Sequence, residues 1–441
     1  MATTTYWSPN QGYVAQVVTY TFTAPNSIGN TYIATLNGKS VTYSSVSGDT
    51  AALVATGLYN LLNVSSGIAA EFTEITWANP SSGVVTATAK VAGTPFANVP
   101  GTSLGLVLST GNGLAGGIVT VNTTANASPS DVNDAQNWLR FTAPAPGVRA
   151  IPVNGDDVVV GNTSIPMLWS LDQLAIVQFN TYTRYQSFTG SIGLPENNPN
   201  GYNEWRATYF KFVGPQGSVP SGGLVMILGQ GSGNGPTRER YNVGSQLTTL
   251  TILSAGQAAD EYNVRFLGIH TANTFTILGG VSLGVAMLAG EIANLSSSTI
   301  DGSATVGIGP DVTWTAASTL TMFGGSAILG AAPATLTANN GAQVTFTEDS
   351  LTWTIITARG GSSLTWLAGG TITTLTMETG ATLDKSTDLR ALTITNSTID
   401  GDTCSVNDPL NTITWTNATS VKQQVTSGPF KFTGTRTVKV T

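Results

Sequence analysis

The chain has 441 residues, carries a formal net charge of −7, and only 9% of its residues are charged, against roughly a quarter in an average soluble protein. A nucleic-acid partner is excluded as an expectation, because neutralising phosphates takes a basic stripe that this composition lacks. Disorder is disfavoured too, since 14 Phe, 12 Tyr and 9 Trp accompany the low charge.

No apolar run approaches the ~20 residues of a membrane span. The nearest, residues 281–288, is short and broken by glycine, so membrane insertion is not expected. Cys404 is the single cysteine, which leaves no intrachain disulfide. The opening MATTTYWSPNQGY has neither a basic nor an apolar export region, so a signal peptide is not expected. The length favours two or three domains.

Residues 1–15 read as an extended N-terminal arm. Residues 17–23 alternate as a strand, and 32–36 with 40–44 form a hairpin across Asn37-Gly38, a pair that tolerates positive φ at both positions. Asp49 is placed to cap a helix on which Leu53, Val54, Leu58, Leu61 and Leu62 share a face. Strands at 71–78 and 84–91 follow. The Gly-rich stretch 100–126, with short strands at 104–108 and 118–123, either completes this unit or links it onward.

The run TYIATLNGKSVTYSSVSGDTAALVATGLYNLLN, followed by VVTATAKVAGTPF, resembles a small strand-hairpin-helix-strand module that recurs in bacteriophage tail and other virion proteins. The marks are a T-x-N-G-x-x-V-T-Y hairpin, a D-T-A helix start and a closing T-A-K-x-A-G-T-P-F strand. The similarity covers residues 16–96 and implies a phage structural role without implying an activity. Further on, DVNDAQNW at 131–138, a Pro/Gly loop and G-D-x-V-x-V from Gly155 resemble the entry of bacterial and phage β-helices. That resemblance implies an aromatic plug over the first coil.

Residues 166–175 suggest a brief helix, and 176–179 and 187–192 suggest strands. An aromatic-rich segment spans 204–213, and strands at 224–228 and 247–253 lead into a repeat. A glycine, a small or polar residue and a short β-forming run recur at Gly280, Gly302, Gly325, Gly341, Gly361, Gly380 and Gly401, at intervals of 22, 23, 16, 20, 19 and 21 residues. Interleaved are apolar-Thr-apolar units such as Leu320-Thr321-Met322, Leu375-Thr376-Met377 and Leu392-Thr393-Ile394. Alternation with period two marks strands, and a period near 20 residues marks a solenoid whose coils bury their apolar faces by stacking. Gly155 to Trp415 would make about 12–13 coils, a rod of roughly 60 Å at ~4.8 Å per coil.

The expected fold is therefore mainly β: the arm at 1–15, an α+β anchoring module with its linker at 16–126, a right-handed parallel β-helix with an entry cap at 127–415, and a C-terminal cap at 416–441.

Candidate chemistry is sparse. Glycoside hydrolysis needs two carboxyls flanking one sugar bond, and Asp156/Asp157, Glu348/Asp349 and Asp384/Asp388 lie close in sequence. Neighbours along a strand point to opposite faces, however. Asp301 and Asp400 share an STIDG context five coils apart, some 24 Å at ~4.8 Å per coil. Turn and solvent roles are expected, with no catalytic residue, cofactor or metal assigned. His270 is the lone histidine, and Cys404 has no basic neighbour to activate it.

Tyr182, Arg184, Tyr185, Tyr202, Trp205, Arg206 and Tyr209 cluster as a candidate contact surface, since aromatics stack on sugars or anchor protein interfaces. An aromatic core between entry region and rod is the competing reading. The resemblance implies a bacteriophage structural virion protein, projecting as a spike, fibre or decoration and assembled in the host cytoplasm. Its partners would be other virion proteins, further copies of itself as a trimer, and a host surface glycan. The alternatives are a polysaccharide-degrading tailspike and a bacterial surface adhesin.

Overall fold

The structure is a computed structural model. It describes residues 3–36, 38–64, 66–93, 96, 106–112, 114, 117–142, 145–167, 179–193, 209–211, 224–244, 247–255, 262–268, 274–288, 290–400, 403–417 and 420–422. Strand makes up 48% and helix 6%, and residues 157–415 form a β-solenoid.

Each coil of the solenoid gives one strand to a long sheet and one to a second sheet. The long sheet stacks Asp157–Val160, Thr181–Tyr185, Leu224–Gln230, Leu247–Ile252 and Thr274–Ile277, then Ser298–Asp301, Thr319–Phe323, Thr335–Asn339, Leu351–Ala358, Gly370–Met377, Leu392–Asp400 and Ile413–Trp415, every neighbour parallel. The second sheet has 10 strands, running from Phe210–Lys211 to Ser405–Asn407. The glycines that mark the repeat sit at the corner between the two sheets. Gly280, Gly302, Gly325, Gly341, Gly361 and Gly380 hold φ between 67° and 78°, a left-handed conformation that costs any other L-residue. Gly401 lies outside the described residues.

Between the sheets the apolar halves of the alternation stack into ladders. One runs Ile277, Ile300, Met322, Ala338, Ala358, Met377 and Ile399, with every member buried. Near the C-terminal end Phe346, Trp353 and Trp366 fill the width: Phe346 stacks on Trp366 at 4.1 Å and meets Trp353 edge-on at 4.7 Å. Among the described residues the long sheet stacks 12 solenoid strands and the second sheet 10. Successive long-sheet strands are spaced more widely in sequence early in the solenoid than late: Tyr185 to Leu224 separates one pair, whereas Phe323 to Thr335 separates another.

The arm does not hang free. Thr4–Trp7 is a strand of the long sheet, parallel to Asp157–Val160 on one side and antiparallel to Trp138–Phe141 on the other. Residues 16–126 are therefore looped out between two hydrogen-bonded strands of the solenoid's first end. Trp7 and Trp138, edge to face at 4.9 Å, cover that end of the core.

The looped-out module has its own core. Leu36 faces Lys39 across a two-residue turn in which Gly38 has φ 72°. The stretch 100–126 completes the module: Val107–Gly111 pairs with Thr31–Leu36 and Ile118–Thr124 with Val17–Phe22. The helix spans Ala51–Leu62 and its cap is Thr50, not Asp49. The Asp49 carboxylate instead accepts from the Tyr43 hydroxyl at 2.9 Å and the Val46 N–H at 2.8 Å, closing the turn before the helix. The buried helix face is Val54, Ala55, Leu58 and Leu62, while Leu53 and Leu61 are exposed.

Two further expectations shift. Residues 70–74 form a 3-10 turn before strand Ile75–Ser81, and the rung strand near 187–192 is Thr181–Tyr185 instead. Most of the helix expected at 166–175 and of the C-terminal cap lies outside the described residues. Ser420–Lys422 continues the ladder beside Leu392–Asp400.

Candidate contact surface

The aromatic cluster divides once the register is known. Along Thr181–Tyr185 alternate side chains enter the solenoid, so Tyr182 and Arg184 are fully buried and Tyr185 is 38% exposed. Tyr182 packs edge-on against Tyr241 at 5.7 Å and lies 6.3 Å from Phe210. Arg184 reaches across the interior to Glu239, its Nε donating to Oε2 at 3.1 Å, and donates to the Ser254 carbonyl at 2.9 Å. The Tyr241 hydroxyl completes the group by donating to Glu239 Oε2 at 2.7 Å. A buried charge persists only when paired in this way. Burial pushes the Tyr182 and Tyr241 hydroxyls far above the usual phenol range, so both stay neutral.

The contact surface expected from sequence is thereby corrected. Tyr182 and Arg184 hold the first coils together from within and present nothing to a partner. Tyr209 is buried as well, its hydroxyl donating to Glu291 at 2.6 Å. Tyr202, Trp205 and Arg206 lie outside the described residues, as does His270. Of the seven, Tyr185 alone is shown at the surface.

The acidic pairs separate in the same way. Asp156 is buried and binds four donors: Thr5 Oγ1 at 2.7 Å, Arg140 Nε at 2.8 Å and Nη2 at 3.0 Å, and the Val153 N–H at 3.1 Å. Asp157, on the opposite face, accepts from Asn180 and Thr181 on the next coil. Asp349 and Asp388 do converge, but on Arg390, which bridges them. The Gly369 N–H and then Arg390 hold the Asp349 carboxyl below its ordinary range, and Arg390 with Lys385 does so for Asp388. A glycosidase acid needs the reverse, a carboxyl kept protonated near neutrality. Asp384 caps the Ser386 N–H and accepts from Asn407.

Asp301 and Asp400 stand on the same sheet, five strands apart, as the STIDG repeat indicates. The Cys404 thiol is buried, and burial raises its pKa, which leaves it no thiolate for nucleophilic work. Among the described residues no group of three or more His, Cys, Asp or Glu is placed to hold a metal ion.

The threonines that separate the apolar residues form a regular column among the described residues. They face outward on the long sheet and stand in register. Thr251, Thr276, Thr299, Thr321, Thr337, Thr357, Thr376 and Thr398 are successive partners, one per coil. Each is half-buried. The Leu-Thr-apolar units were the signal, and only the coil-to-coil register shows that they align. The chain matches no protein-family model, no curated protein and no solved structure.

Proposed function

We propose that the chain is a structural virion protein of a bacteriophage, in which the solenoid projects as a stiff shaft and the α+β module makes the assembly contact. The observation that carries this reading is the stack itself. Two parallel sheets advance together coil by coil, and the long sheet keeps an unshifted register from Leu250 to Met377. Such a stack resists bending and proteolysis because parallel strand pairing ties each coil to the coils above and below it.

The module supports the reading in two ways. Its sequence resembles phage virion modules, and it loops out beside the covered end of the shaft with a core of its own, free to dock without disturbing the coils. Further copies of the chain, as a trimer, and a host surface glycan are the partners that fit a projecting shaft. The described carboxylates form no acid–nucleophile pair, so the structural reading is preferred to a depolymerase.

The test is to raise antibody against the purified chain and search gradient-purified phage particles from the source culture by immunogold microscopy and mass spectrometry. Label at a fixed position on particles, with a reproducible copy number, is the expected result. Chain abundant in the culture but absent from particles would sink the proposal.

A further inference from the structure

The module's three-stranded and four-stranded sheets have four outer strands between them, and three of these are blunted. Lys39–Ser44 begins with a lysine, and the helix Ala51–Leu62 packs along it, where a Cβ on Gly57 would collide with the Tyr43 ring. Val107–Gly111 is short, and the turn after it folds back so that Thr110 donates to the Leu114 carbonyl at 2.8 Å. Ile75–Ser81 holds Pro80 and a register shift between Ala78 and Ser81. Charge, proline, bulges, shortness and a covering helix are the means by which a strand edge is kept from pairing with another chain.

Ile118–Thr124 has none of them. It is the other outer strand of the four-stranded sheet, and among the described residues it pairs with Val17–Phe22 alone. Its seven residues include no charge and no proline. Val119 and Val121 are 55% and 50% exposed. Thr120 is exposed too, although its register partner Tyr20 is buried in the module core. Both faces of this strand therefore end at solvent.

The direction of its backbone groups follows from its neighbour. Thr23 donates to the Gly117 carbonyl at 2.9 Å, while Phe22 donates the other way, to Gly83. In an antiparallel sheet that direction alternates residue by residue. Val119 and Val121 thus turn their N–H and C=O to Thr21 and Thr19, and Ile118, Thr120 and Asn122 turn theirs out of the sheet. Among the described residues none of these three has a hydrogen-bond partner on that side. Outward donors and acceptors at alternate positions are matched by an extended backbone, the arrangement of strand addition.

A second copy of the same strand matches them in one register. With Thr120 on a twofold axis, it pairs with Thr120 of the second copy, and Ile118 pairs with Asn122 of the second copy in both directions. Each such pair exchanges two hydrogen bonds, so every outward group is satisfied. Val119 then meets Val121 of the second copy in the non-hydrogen-bonded sites, where cross-strand side chains lie closest. Charge favours the same occupant. The chain carries −7, so two copies repel over most approaches, yet all four strands of this sheet are uncharged and set no like charges opposite one another. We propose that two copies of the chain associate through Ile118–Thr124, joining their four-stranded sheets into one continuous sheet across a twofold axis. The inference concerns the module and does not rest on the virion reading.

The experiment is sedimentation equilibrium on the full chain. Wild type at micromolar concentration should show twice the chain mass of 45.4 kDa. Thr120→Pro removes the central outward N–H and spares the bonds to Val17–Phe22, and it should weaken the pair about tenfold or more. Val121→Lys, which sets an ammonium group against Val119 of the second copy, should do the same. Thr120→Cys should crosslink two copies on mild oxidation, because hydrogen-bonded antiparallel residues have Cα atoms ~5.5 Å apart, within disulfide reach. Val107→Cys, on a blunted edge, should not, and native Cys404 is buried. If Thr120→Pro loses the wild-type circular dichroism, Val121→Lys and the crosslink decide. A mass of one copy, or of three, overturns the proposal, since a twofold contact closes on two. So does a pair that persists in both edge variants while Thr120→Cys stays uncrosslinked. A single-copy chain that adds a strand of a different protein here, and loses it in Val121→Lys, would overturn the proposal in favour of that partner.

Discussion

The module and the solenoid solve the burial problem in opposite ways. In the module, Val17–Phe22 pairs with strands from 84–89 and 118–124, and one helix covers the result. Partners are distant in sequence and each contact is made once. In the solenoid every coil repeats its neighbour's plan, and contacts reach only one coil up or down. Damage should therefore spread through the whole module but stay local in the shaft.

The largest effect should come from the shaft's widest cross-section. Trp366→Ala removes the ring stacked on Phe346 and should cost about 4 kcal/mol. Hydrogen exchange should quicken in the coils around 343–384 and remain unchanged in the module. Uniform quickening across both regions would break the comparison. Asp156→Asn comes next, at about 3 kcal/mol, because it strips Arg140 and Thr5 of a buried partner. It lies where the two regions join, so exchange should rise both in Thr4–Trp7 and in the strand Trp138–Phe141.

Asp388→Asn leaves the buried Lys385 ammonium without its carboxylate and should cost about 2 kcal/mol near neutrality. The sign with pH follows from the depressed carboxyl pKa. Its contribution is complete above the unfolded value near 3.9 and disappears as pH falls through the folded one. The melting-temperature gap between wild type and Asp388→Asn should thus close on acidification, and a gap that widened would contradict the Arg390 and Lys385 pairing.

Smaller effects sharpen the picture at corners and caps. A Cβ on Gly341 would meet nothing within 4 Å, whereas one on Gly325 would lie 2.5 Å from the Ala304 carbonyl oxygen. Gly341→Ala should cost about 1 kcal/mol of left-handed strain, and Gly325→Ala clearly more by chemical denaturation. In the module, Thr50→Ala should cost about 1 kcal/mol as a lost helix cap. Asp49→Ala should leave helix content by circular dichroism intact and loosen the turn at Tyr43.

Much of this was legible beforehand because a solenoid writes its period into the chain. Glycine before a β-forming run named the corners, and Leu-Thr-Met or Leu-Thr-Ile named strands with one buried and one open side. Asn37-Gly38 named its hairpin for the same reason, since two residues needing positive φ specify a turn locally. The contact cluster was not legible. Tyr182, Arg184 and Tyr185 look alike as exposed aromatics and cations, and a shift of one position along the strand exchanges inside for outside.

By itself, then, the sequence determined the repeating unit: a corner, a strand, the alternation of apolar and hydroxyl side chains, and the separate module at its start. Tertiary structure alone decided that Thr4–Trp7 would close the first coil, that Glu239 would draw Arg184 inward, that Gly325 would face a carbonyl where Gly341 faces nothing, and that eight threonines would fall into one column. The physical reason is common to all four. Propensity and periodicity act between residues near in the chain, whereas each of these outcomes depends on which distant strand lies alongside.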